Sequence, residues 1–160
     1  LLGVMSGLRA RGVDAKLNIV GDGPEKSLWA RRARKDSLPI TFLGRLAPTE
    51  LKGVLSRSQI FVQPSTKESF GIAALEARTG GLAVIARKGT GTQTFITDGI
   101  DGRMCESDEA MVTAIEAWEL DRDSLRRVLE HNSEAAPKYS WSDIDQVVRA
   151  AYRRAIALAQ

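Results

Sequence analysis

Short apolar runs alternate with helix-forming segments along nearly the whole of this chain, and that alternation restricts its fold more than any other feature. Residues 16–20, 40–43, 59–63, 82–86 and 102–105 read as strands. The first meets Gly21-Asp22-Gly23-Pro24, with Pro24 suited to a helix's first turn, and the third is broken by Pro64. Between them lie helical patterns: an opening helix ending at Gly12, then residues 24–35, 49–56 and 70–78, and a short helix over 92–97. After the last strand the sequence is helical over 108–119, 123–135 and 142–159. Strands separated by helices must cross over rather than turn back as hairpins, which predicts an α/β chain with a doubly wound parallel sheet flanked by helices. Ligands of such sheets bind at the carboxyl ends of the strands, and the turn at 21–23 and the loops at 43–46 and 64–71 all fall there.

Composition narrows the partners. The chain has 160 residues, enough for one domain with a real core, and no internal repeat or low-complexity linker divides it. Net charge is only +3, from 23 basic and 20 acidic residues, so no strong field points to nucleic acid. One cysteine, Cys105, leaves no intramolecular disulfide and no Cys-rich metal site. The one histidine, His131, sits in a polar helical stretch and reads as a surface residue. No apolar run approaches the roughly 20 residues of a membrane span. The chain opens with Leu1, Val4, Met5 and Leu8 already at helical spacing, which gives the expectation of a piece of a longer protein.

The chemistry concentrates in Gln63-Pro64-Ser65-Thr66-Lys67-Glu68-Ser69-Phe70-Gly71-Ile72-Ala73-Ala74-Leu75-Glu76-Ala77. Here a strand, a loop with an acid and a helix opening on that loop make a place where anions bind. Two readings stand side by side. In the plain one, Ser69 caps the helix, Glu68 favours its positive end and Glu76 faces solvent or a basic neighbour. In the other, Glu76 shares a face with Ile72 on a helix whose faces are mostly apolar, and a carboxylate buried there needs a partner such as a ribose diol.

Glu68-Ser69-Phe70-Gly71-Ile72, with Glu76 completing the spacing, resembles the E-x7-E signature of retaining GT-B glycosyltransferases of family 4. Leu17-Asn18-Ile19-Val20-Gly21-Asp22-Gly23-Pro24 resembles that family's strand and glycine turn, and Ile40-Thr41-Phe42-Leu43-Gly44 its next strand. Residues 80–86 and 98–102 resemble its later landmarks. The resemblance implies one half of a GT-B fold, Rossmann-like. Residues 1–160 would form a single C-terminal, donor-nucleotide-binding domain, with the acceptor-binding N-terminal domain absent. It implies sugar transfer from a UDP-, GDP- or ADP-linked donor, with no cofactor and no metal. Glu68 would contact and position the donor sugar, Glu76 would bind the ribose hydroxyls, and Ser69 with the amides of Phe70, Gly71 and Ile72 would line the diphosphate. Gly21, Gly23 and Leu46 would lie along the nucleotide. The isolated chain is expected to be inactive, and the full-length protein cytoplasmic, with peripheral membrane contact open to it.

Other chemistry fits less well. Gly21-x-Gly23 lacks the third glycine of a dinucleotide fingerprint, because position 26 is lysine. A glycosidase pair needs a carboxylate separation that sequence does not supply. Arg45 lies in a different loop from the family's diphosphate arginine. Ala83 and Thr94 stand where the family usually has proline and an acid, and Arg87 with Lys88 reads as a solvated pair. A nucleotide-sugar epimerase and a non-catalytic nucleotide-sugar-binding module are the alternative functions. The terminal stretch 141–160 reads as an amphipathic helix: Trp141, Ile144, Val148, Ala151, Tyr152 and Ala155 on a packing stripe, with Arg149, Arg153 and Arg154 elsewhere.

Overall fold

The computed structural model describes residues 1–135, 145–146, 148–150 and 152–154. Its elements follow the expected order: α1 (Leu2–Ala10), β1 (Leu17–Val20), α2 (Lys26–Lys35), β2 (Ile40–Gly44), α3 (Pro48–Leu55), β3 (Ile60–Gln63), α4 (Ile72–Thr79), β4 (Ala83–Arg87), β5 (Gly102–Cys105), α5 (Asp108–Leu120) and α6 (Arg122–Glu134). The short helix expected over 92–97 is one 3-10 turn, Gly91–Thr94. All recorded strand pairings are parallel: β1 with β2, and β4 between β3 and β5.

β4 explains why helices must cover both sides. All five of its residues are buried, as expected for a central parallel strand. Side chains alternate across a strand. Ala83 and Ile85 join the larger core with Val4, Met5 and Leu8 of α1, Met111, Val112 and Ile115 of α5, and Leu125 and Val128 of α6. Val84 and Ala86 join a smaller core on the opposite face with Ala74 of α4, Phe95 and Ile96. Leu17, Phe42, Ile60 and Val62 pack against the larger core, so both ladders share it. This is the doubly wound arrangement that the alternation predicts.

The smaller face is tied down by ions that spacing does not reveal. Arg78 of α4 and Asp101, just before β5, are 2% and 1% exposed and meet at 2.7 Å. The guanidinium Nε donates a second bond to Asp101 at 2.8 Å, and the Thr97 amide donates to the other carboxylate oxygen at 2.7 Å. Asn132 of α6 donates its amide to the carbonyls of Leu82 and Asp101, at 2.7 and 2.8 Å. His131 points its Nε2 at Asp101 from 3.4 Å with its ring 44% exposed, in keeping with a place near the surface.

Of the terminal stripe, Trp141, Ile144, Ala151 and Ala155 lie outside the described residues. Val148 and Tyr152 are helical but 43% and 69% exposed, so these two members of the expected packing stripe do not enter the core.

Because Arg78 would be left charged and unpaired in the interior, Asp101→Ala is expected to cost about 3–5 kcal/mol. Urea unfolding followed by circular dichroism checks this, and a loss below about 1 kcal/mol would contradict it.

Candidate functional site

The carboxyl ends of the strands gather most of the residues that the sequence singles out. At the end of β1, Gly21 adopts φ 115°, a left-handed conformation open to glycine, and donates its amide to the Gly44 carbonyl at 2.7 Å. Gly23 donates to the Asp22 carboxylate at 3.1 Å. Both glycines line a cleft of about 720 Å³, with Ile19, Asp22, Lys26, Trp29, Phe42 and Pro64 among its walls. Such a volume suits a small-molecule ligand. Leu46 is half-buried in the loop after β2, and neither it nor Glu68 nor Glu76 lines this cleft.

The loop between β3 and α4 departs from expectation in its details. The helix begins at Ile72 rather than Phe70, and its N-cap is Gly71, at φ 92°. Ser69 is exposed and is not the cap. Glu68 serves in its place: one carboxylate oxygen accepts the amides of Gly71 at 2.9 Å and Phe70 at 3.2 Å. Its other oxygen accepts from Nε2 of Gln63, the last residue of β3, at 2.8 Å. A carboxylate on the amides of the N-cap residue and the residue before it satisfies donors that would otherwise be unpaired and meets the positive end of the helix dipole. Phe70 anchors the turn by packing its ring on Phe95, 5.4 Å between centroids.

A second loop closes over the first. The Gly91 amide donates to the Glu68 carbonyl at 2.8 Å. A Cβ on Gly91 would stand 1.9 Å from the Ser69 carbonyl oxygen, so only glycine fits there. Thr92 is fully buried beneath Gly71, with its hydroxyl 2.8 Å from where a Gly71 Cβ would sit.

Glu76 does share a face with Ile72, but that face looks outward. Ile72 is 67% exposed and Glu76 is exposed. The buried side of α4 is Ala74, Ala77 and Arg78. The expectation of a carboxylate buried on an apolar helix is corrected: Glu76 is exposed, and among the described residues it has no hydrogen bond or ion pair.

Lys26 and Trp29 emerge only from the structure. The Lys26 amine lies 3.7 Å from the Asp22 carboxylate and 3.2 Å from the position of a Cβ on Gly44, which places a cation over the ends of β1 and β2. Trp29, 42% exposed, offers an aromatic face in the same cleft and donates its indole N–H to Glu25 at 3.3 Å. The four-residue spacings 22–26 and 25–29 were the available signal. Arg45 is exposed.

Arg87 and Lys88 are not a common solvated pair. Arg87 is 9% exposed, bonded to Asp108 and to the Pro64 carbonyl at 3.3 Å. Lys88 is exposed and pairs with Glu106 at 2.8 Å, which raises the lysine pKa and lowers that of the glutamate. Burial pushes the Cys105 thiol up, away from the thiolate form of a reactive cysteine. No group of three or more His, Cys, Asp or Glu that could hold a metal occurs among the described residues. No helix among them is long and apolar enough to cross a membrane.

A doubly wound α/β domain binds its ligands at the carboxyl ends of its strands, where this cleft and helix N-terminus lie. Residues 1–136 match Glycosyl transferases group 1, and the chain belongs to that family. It is 29% identical over 119 residues to the D-inositol 3-phosphate glycosyltransferase of Corynebacterium urealyticum, covering 73% of this chain and 28% of that protein. The sucrose-phosphate synthase of Thermosynechococcus elongatus superposes with a TM-score of 0.82 at 23% identity, over 98% of this chain and 42% of that one. HepE of Anabaena, solved in complex with UDP-glucose, gives a TM-score of 0.79 at 18% identity, over 94% and 44%. The chain thus spans less than half the length of each. The structural neighbours share the fold of a GT-B half, Rossmann-like, as the sequence motifs implied.

Since Gly91 touches the backbone that holds Glu68, Gly91→Ala is expected to push the 68–70 turn aside and lower stability by about 1–3 kcal/mol. Thermal unfolding checks the loss, and an unchanged midpoint would contradict the close approach of the two loops.

Proposed function

We propose that this chain is the C-terminal, donor-binding half of a retaining, metal-independent glycosyltransferase of family 4. Its donor is a nucleotide diphosphate sugar. The reading rests above all on the turn at α4, where the amides of Phe70 and Gly71 converge on a single anion, the Glu68 carboxylate. Groups that hold a carboxylate can hold a phosphate oxygen, and a helix N-terminus adds its dipole.

The parts then take roles. The cleft beside Gly21 and Gly23 receives the nucleoside, with the Lys26 cation and the Trp29 ring in its wall. Glu76, exposed and without a hydrogen-bond partner among the described residues, accepts the two ribose hydroxyls. The amides of Phe70, Gly71 and Ile72 face the diphosphate, beside Ser69. As the bond from sugar to phosphate breaks, negative charge grows on the leaving phosphate, and oriented N–H donors stabilise it most at that moment. Glu68 contacts and positions the transferred sugar. A UDP-glucose complex of a neighbour with this fold supports a nucleotide sugar as ligand.

The acceptor site lies on an N-terminal domain outside this chain, so the chain alone binds donor without transferring it. Peripheral membrane contact of the full-length protein, through the exposed Arg153 and Arg154, belongs to the same reading.

Calorimetric titration with UDP, GDP and ADP tests the site. One nucleotide is expected to bind saturably, and Glu76→Ala to weaken it by about 1–3 kcal/mol, the cost of leaving hydroxyl donors unmet. Unchanged affinity in the variant would remove the ribose from Glu76. Sugar transfer by the purified chain would remove the division of labour between two domains.

A further inference from the structure

The groups assigned to the ligand are bonded to one another. The amides of Phe70 and Gly71 are both taken by Glu68, the residue meant to reach the sugar. A diphosphate cannot use those amides while the carboxylate holds them, and two anions sharing one helix N-terminus repel. We infer that Glu68 is a built-in, displaceable occupant of the anion site, tethered by Gln63, and that a nucleotide diphosphate must evict it to bind. The inference rests on the proposed reading of the site.

The buried atoms beneath the turn point the same way. Gln63 must turn its Nε2 toward Glu68, because a carboxylate only accepts, and this fixes its Oε1 on the opposite side. That oxygen is buried with no hydrogen-bond partner among the described residues, and so is the hydroxyl of Thr92, which is itself 0% exposed. They lie 3.6 Å and 2.8 Å from the point where a Gly71 Cβ would be, directly under the helix N-terminus. Unpaired polar atoms in the interior are costly, and native structures keep few of them. With Glu68 across the amides, two buried polar side chains under the turn are unmet.

Gln63 gives the exchange its direction. Its bond goes to the carboxylate oxygen that does not touch the amides. When a phosphate takes the amides, this bond survives and keeps Glu68 beside the site, where the proposed reading needs it for the sugar. Gln63 is thus a positioning residue, acting through Glu68.

Competition makes an uncommon prediction, since removing a site residue should tighten binding. If one molecule in about ten has its amides uncovered, the self-occupied site binds about tenfold more weakly than an open one. Titrated with UDP, GDP and ADP, Glu68→Ala is expected to bind the preferred nucleotide about tenfold more tightly than the unmodified chain. Gln63→Leu, which removes a bond present both before and after the exchange, is expected to leave the affinity within about twofold. Should the alanine variant lose its fold by circular dichroism, Glu68→Gln reads the same competition, as it keeps the volume and removes the charge. Nucleotide binding by the unmodified chain with equal or weaker binding by the Glu68 variants would overturn the inference and leave the site intact. No binding by the unmodified chain or any variant would overturn the reading of the site, and the inference with it.

Discussion

A strand that can show neither face to water sets the terms for the rest of this molecule. Every residue of β4 is buried, so one face must meet α1, α5 and α6 while the other meets α4 and the segment carrying Phe95 and Ile96. Helices on both sides require crossover connections, and crossovers bring the loops after β1, β2 and β3 to one end of the strands. The cleft at Gly21 and Gly23 and the turn at Glu68 are consequences of that geometry. The buried pair of Arg78 and Asp101 ties α4 to the segment just before β5.

Much of this was legible in the sequence because it depends on local pattern. The apolar run 82–86 could only be a buried strand, and the observed Ala83–Arg87 differs from it by one residue. Pro64 ends β3 as expected, and the glycine turn at 21–23 lies at a strand end beside a cleft. The family motifs name a site that residue chemistry alone does not, because E-x7-E spacing has meaning only once strand order places it.

What was misread depended on long-range partners. Helical periodicity put Glu76 and Ile72 on one face, correctly, but cannot say which face is buried. Asp101, 23 residues further on, settled that by drawing Arg78 inward. Ser69 looked like the cap because its type favours the role, whereas the positive φ of Gly71 moves the cap two residues on and lets Glu68 reach the amides. Gln63 and Thr92 carried no signal, since nothing in the sequence places a 3-10 turn under the α4 N-terminus. Lys26 counted only as a missing glycine, although its amine lies over the ends of two strands.

The central claim is that the carboxyl ends of the strands hold a nucleotide diphosphate sugar. Backbone amide chemical shifts of the chain, followed by NMR while UDP-glucose is added, test it most directly. Shifts confined to Gly21, Gly23, Phe70, Gly71, Ile72 and Glu76 and their neighbours are the expected result. Saturable shifts centred elsewhere, for example on the second cleft lined by Arg103, Glu106 and Glu109, would contradict it.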